Sequence, residues 1–127
     1  MTVRIKKPNK EELTSKGFTN RIKINPIQTK NSLMEYGFTN FNKSTLYYME
    51  MVDRNISFNL SVAVDSLGVK AIDVLDEDWL QPYDYQQQIL NGSISGKARN
   101  TYNKVNNILS KLQNAGIIIG FEKGMYI

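Results

Sequence analysis

The side chains in this sequence best suited to do chemistry are carboxylates. Asp73, Asp76, Glu77, Asp78 and Asp84 fall within a span of twelve residues. Paired carboxylates can hold a divalent cation, or divide the roles of general acid and base between them. A metal-dependent hydrolase built on Asp73, Asp76 and Asp78 would suit a nucleic-acid substrate. The competing reading is structural, because acidic residues at the start of a helical turn are favoured by the helix dipole. The rest of the sequence supports the structural reading. It has no histidine, the commonest general base and metal ligand, and no cysteine, which removes thiolate ligands, cysteine nucleophiles and disulfides. The stretch Asn91-Gly92-Ser93-Ile94-Ser95-Gly96-Lys97 imitates a phosphate-binding loop. It has one residue too few between its glycines and no hydroxyl residue after the lysine. The sequence therefore predicts no catalytic residue, no metal ligand and no cofactor.

Binding chemistry is better represented. The net charge of +4 is unevenly spread. Residues 1–30 carry eight Lys/Arg against Glu11 and Glu12, residues 31–96 carry three against nine acidic residues, and residues 97–127 carry five against Glu122. Basic ends around an acidic middle can steer a chain towards an anionic partner. The candidate contacts are Arg4, Lys6, Lys7, Arg21 and Lys23 in the basic arm, with Arg99, Asn103, Lys104 and Lys111 further on. Trp79, Tyr83 and Tyr85 form a second candidate set. Such residues anchor interfaces when exposed, and fill cores when buried with their polar tips satisfied.

Elements must position these residues, and the clearest is a strand. Ile56, Phe58, Leu60, Val62 and Val64 alternate with small or polar residues, the pattern of a half-buried strand. Asp53-Arg54-Asn55 before it reads as a hairpin loop, with Asn55 suited to a left-handed conformation, and 65–68 reads as a turn. Strands at 45–52 and 69–75 complete a three-stranded antiparallel meander. Pro82 is expected to stop a helical turn or loop over 76–81. Asp84 is expected to cap a short helix over 85–90.

A longer helix over 97–115 places Ala98, Tyr102, Val105, Ile108, Leu109 and Leu112 on one stripe. Arg99, Asn100, Asn103, Lys104, Asn107 and Lys111 lie opposite, and Gly116 ends the helix. Residues 117–121 and 125–127 read as a closing hairpin. Helix and hairpin together resemble the recognition helix and wing of a winged-helix DNA-binding unit, although the sheet before them replaces the expected upstream helices. Leu13-Thr14-Ser15-Lys16-Gly17-Phe18-Thr19-Asn20 is echoed by Leu33-Met34-Glu35-Tyr36-Gly37-Phe38-Thr39-Asn40. In each, a short helix ends at glycine and the phenylalanine folds back on the leucine, in the first copy after a capping box at Asn9 and Glu12.

The stretch Leu75-Asp76-Glu77-Asp78-Trp79-Leu80-Gln81-Pro82-Tyr83-Asp84-Tyr85-Gln86 resembles a segment of small uncharacterised proteins from phages and mobile elements of Gram-positive bacteria. The resemblance extends over 30–127: a helix ending in Gly-Phe, the meander, the aromatic segment, and a helix leading to Gly116-Ile117-Ile118-Ile119-Gly120 and Tyr126-Ile127. It implies provenance and fold, with no activity attached.

The expectation is an α+β fold: the three-stranded meander packed against the long C-terminal helix, with a closing hairpin and short N-terminal helices. Residues 1–28 form a basic extension and 29–127 the domain. The expected function is that of a phage or mobile-element accessory protein, a binding protein and not an enzyme. Its partner would be a host protein, alone or in a nucleoprotein complex, and its role inhibition of host defence of the anti-CRISPR kind. A nucleic-acid-binding module is the alternative and the metal-dependent hydrolase the third. The first residues have no apolar segment behind their basic side chains, and no apolar run approaches a membrane span. The expected location is the cytoplasm.

Overall fold

The computed structural model describes residues 21–90 and 96–122. Its elements in chain order are β1 (Lys23–Ile24), α1 (Lys30–Tyr36), β2 (Thr39–Asn42), β3 (Thr45–Met51), β4 (Ile56–Ala63), β5 (Val69–Asp76), β6 (Gln81–Pro82), α2 (Tyr85–Leu90), α3 (Gly96–Asn114) and β7 (Ile118–Ile119). The class is α+β, as the sequence implies. The sheet has five strands rather than three, an antiparallel meander in the order β2-β3-β4-β5-β6, and β1 pairs with β7 in a second, two-stranded sheet.

The three predicted strands form its centre, with Leu46 opposite Val62, Glu50 opposite Phe58, and Phe58 opposite Val74. The added strands are short. In β6, Pro82 pairs with Leu75 at the sheet edge, where a residue without an N–H is tolerated. The expected helical stop at Pro82 is thus a strand, reached through Leu80 at φ 51. Asn55 is not left-handed; outside glycine the left-handed positions among the described residues are Leu67 and Leu80. Leu67 closes the β4–β5 turn by donating its N–H to the Ala63 carbonyl at 2.9 Å.

Two helix ends follow one design. The N–H of Phe38 donates to the Leu33 carbonyl, and that of Gly37, at φ 138, donates to the Met34 carbonyl. At α3 the N–H of Ile117 donates to the Leu112 carbonyl, and that of Gly116, at φ 78, to the Gln113 carbonyl. These are Schellman caps, and each brings a buried leucine together with a buried residue just past the glycine. The earlier copy over 13–20 lies outside the described residues. Helix α1 starts with a reciprocal box: Thr29 Oγ1 accepts from the Ser32 N–H at 3.1 Å, and Ser32 Oγ accepts from the Thr29 N–H at 2.7 Å.

The core lies on the side of the sheet facing α3. Ile56, Phe58, Leu60 and Val62 meet Ala98, Val105, Ile108, Leu109 and Leu112 in one buried cluster. Tyr102 is only partly buried, while Thr101 and Asn106 are buried in its place. Each bonds back to the helix, Thr101 Oγ1 donating to the Lys97 carbonyl and Asn106 Nδ2 to the Tyr102 carbonyl.

The N-terminal boundary of the packed unit falls earlier than charge counting places it. Ile22 and Ile24 are 0% and 7% exposed, within the core. Lys23 pairs with Ile119 and Ile24 with Ile118. The strand 118–119 therefore pairs with β1, and residues 125–127 of the expected hairpin lie outside the described residues. Gln113 fixes the chain after β7, accepting from the Phe121 N–H at 2.8 Å and donating to its carbonyl at 2.9 Å.

Candidate functional site

Strand parity divides the sheet into two faces. Because Leu46 and Glu50 sit opposite core residues of β4, the alternate residues Tyr47, Met49 and Met51 point away from α3. All three are exposed. The register extends this outer face across the sheet in rows: Met49 beside Asn59 beside Asp73, and Met51 beside Ser57 beside Leu75 beside Pro82. The second row ends next to the turn between β5 and β6, whose Trp79 and Leu80 are 75% and 81% exposed.

That turn is held in place by hydrogen bonds. The Glu77 N–H donates to the Asn55 carbonyl at 2.7 Å, and Asn55 Nδ2 donates to Asp78 Oδ2 at 3.0 Å. Asp76 Oδ1 accepts from the N–H groups of Asp78 and Trp79 at 3.0 and 3.4 Å. The carboxylates of Asp76 and Asp78 therefore shape this turn. Among the described residues, no three acidic side chains come together in a group that could hold a metal ion.

The aromatic trio is split. Trp79 is exposed, whereas Tyr85 is 1% exposed and belongs to the core, which removes it as an interface residue. It begins α2, whose Gln87 N–H donates to Asp84 Oδ1 at 3.1 Å, the expected cap. Tyr83 stands between them, half-buried, with its hydroxyl 3.4 Å from Gln88 Oε1 and the Lys97 ammonium 5.3 Å from its ring centre. Burial raises the Tyr83 pKa; the nearby carboxylates of Asp76 and Asp53 push the same way and Gln88 opposes them.

The basic candidates divide as well. Arg4, Lys6 and Lys7 lie outside the described residues. Arg21 and Lys23 are exposed at β1, and Arg99, Asn103 and Lys104 are exposed along α3. Lys104 and Lys111 line a shallow groove of about 290 Å³ with Asn107, Ile108, Glu50, Met51 and Val52. Lys111 forms an ion pair with Glu50 at 2.5 Å. The hydrogen bond it donates to the Glu50 carboxylate raises its pKa, with desolvation opposing.

Sequence reading missed Met49, Met51 and Leu80. Parity would have found the two methionines, because an inward Phe58 fixes which residues of the paired strand face out. Nothing in the sequence marks Leu80, whose exposure follows from a left-handed backbone conformation normally left to glycine or asparagine.

No family model matches the chain, and no curated protein matches it. Among solved structures it is similar to the crystal structure of a DUF1831-family protein from Lactobacillus plantarum. The two are 14% identical, with a TM-score of 0.58 over 77% of this chain and 84% of the other. At that identity the likeness is one of fold alone.

Proposed function

We propose that this chain is a binding protein, not an enzyme, and that it seats a partner protein on the outer face of the meander and the adjoining 77–80 turn. The observation that carries this reading is the display of Trp79 and Leu80 on a hydrogen-bonded turn, at the same end of the sheet as the exposed Met51 and across β4 from it. Tryptophan and methionine are enriched in interface cores, and tryptophan dominates hot spots. A leucine held at φ 51 carries roughly 1–2 kcal/mol of backbone strain, and here that strain exposes an apolar side chain instead of burying it. The resemblance of 75–86 to phage and mobile-element proteins makes a cytoplasmic host protein, alone or in a nucleoprotein complex, the expected partner. Inhibition of a host defence system, of the anti-CRISPR kind, is the expected consequence.

A second reading has one observation in its favour. Helices α2 and α3 pack together and β1 pairs with β7 around them, a strand–helix–helix–strand grouping like that of a winged unit. In that reading Arg99, Asn103 and Lys104 would meet nucleic acid.

The test expresses the chain and its Trp79→Ala/Leu80→Ser variant in cells with active CRISPR interference against a phage. The wild type should raise plating efficiency and recover one nuclease-resistant partner, with both effects lost in the folded variant. Unchanged partner recovery by the variant would overturn the docking face. Loss of every partner after nuclease, with salt-sensitive retention on duplex DNA, would transfer the function to α3.

A further inference from the structure

We infer that the partner meets this docking face with a lysine- and arginine-rich surface, because the exposed apolar anchors stand inside a fixed ring of carboxylates. The inference rests on the docking reading above and names the chemistry of the occupant.

The ring follows from topology. The β3–β4 loop and the β5–β6 turn are at the same end of the sheet, tied through Asn55 to Glu77 and Asp78. This end gathers Asp53, Asp76, Glu77 and Asp78, with Asp84 just beyond β6 and Asp73 standing in the outer face itself. Arg54 and Lys97 are cations there, and Lys104 lines the groove that Met51 shares, three against six carboxylates. The ion pair between Lys111 and Glu50 lies on the opposite, helix-facing side of β3. None of the six carboxylates is in an ion pair among the described residues.

Charge decides which partner can close over Met51, Trp79 and Leu80. Covering them desolvates the neighbouring carboxylates, and an acidic or neutral surface offers nothing in exchange. A basic surface offers charge-assisted hydrogen bonds, and the negative end accelerates encounter at low salt. An apolar pocket on the same partner would take the tryptophan. A second copy of the chain is the less fitting occupant, because two acidic ends would face each other in a symmetric pair.

The test titrates the full chain with a synthetic peptide of alternating lysine and leucine, read by amide chemical shifts. Peptides of lysine alone, and of alternating glutamate and leucine, serve as controls. The lysine–leucine peptide should perturb Met51, Leu75, Trp79 and Leu80 and bind at least tenfold tighter than either control. Asp73 and Glu77 cap no turn with their side chains, so Asp73→Asn/Glu77→Gln should keep the fold. It should weaken binding about fivefold and flatten its salt dependence.

Unchanged affinity in that variant, with binding abolished by Trp79→Ala, would overturn the basic partner and leave the docking face standing. Indifference to Trp79→Ala, with lysine alone binding as well, would overturn both. A dimer in sedimentation that Met51→Lys disperses would replace the basic partner with a second copy.

Discussion

Replacing Gly120 with alanine asks whether residues 21–24 belong to the fold. Gly120 sits at φ 89, and a Cβ there would press into the backbone carbonyl of Arg21, nearer than folded proteins allow. Gly116, at φ 78, offers a control, since a Cβ there meets open space. Both alanines carry the left-handed penalty of roughly 1–2 kcal/mol. Only the one at position 120 must also displace β1. Returning Ile22 and Ile24 to water costs roughly 1.5–3 kcal/mol each. Gly116→Ala should therefore cost about 1–2 kcal/mol and Gly120→Ala about 4 kcal/mol or more, much of a domain's usual 5–15 kcal/mol.

Urea unfolding followed by far-ultraviolet circular dichroism measures both. Fluorescence is a poor probe because the single tryptophan, Trp79, is exposed in the folded chain. Removal of residues 1–28 should cost about 3 kcal/mol or more, since it vacates the same two isoleucine sites and deletes the Gln28 side chain that donates to the Gly116 carbonyl. Equal costs for the two alanines would refute the placement of β1 against β7.

Trp79 should emit as a water-exposed indole. At low ionic strength caesium should quench it more effectively than iodide, reversing the usual advantage of iodide, because the surrounding carboxylates attract the cation; better quenching by iodide would deny the acidic ring. Trp79→Ala should change stability by no more than about 0.5 kcal/mol in thermal unfolding, as for surface residues generally. Tyr48, Tyr83 and Tyr102 should titrate above the ordinary tyrosine value of 10.0, chiefly because burial penalises the phenolate. The folded state prefers these phenols neutral, so their contribution is complete below about pH 10 and is lost as pH climbs through the raised values. Absorbance at the phenolate band follows the titration. Lys111→Ala should cost no more than about 1 kcal/mol in thermal unfolding, as for a partly exposed pair.

The centre of the fold was legible because its elements are long enough to repeat. Eight residues of β4 show four inward turns of an alternating pattern, and the nineteen residues of α3 show its stripe several times. The helix stops were legible for a different reason: leucine, glycine and a following apolar residue are a local chemical signal. Strands β1, β6 and β7 have two residues each, too few for any period to show. Their pairing is decided by distant partners, Ile24 by Ile118 across most of the chain. Propensity favours asparagine and glycine at left-handed positions, whereas here the turns closed by the Leu67 N–H and by Asp76 place Leu67 and Leu80 there.

The site was legible in chemistry and not in placement. The segment 79–85 is dense in aromatics, but neither of the common periods fits it, so composition cannot say which rings face out. The structure separates Trp79 from Tyr85 by changing element between them, from a turn to an edge strand to a capped helix. The same change of element gives the acidic run its meaning. Asp76 and Asp84 were read as helix-favouring charges, and Asp84 is indeed a helix cap. Asp76 instead folds the turn that lifts Trp79 and Leu80 away from the sheet. Any substitution at Asp76 therefore alters charge and display together, whereas Asp73 and Glu77 alter charge alone. That difference makes Asp73→Asn/Glu77→Gln the cleaner probe of what the partner must carry. If electrostatics select the partner, this pair weakens binding while Trp79 keeps its solvent-exposed emission.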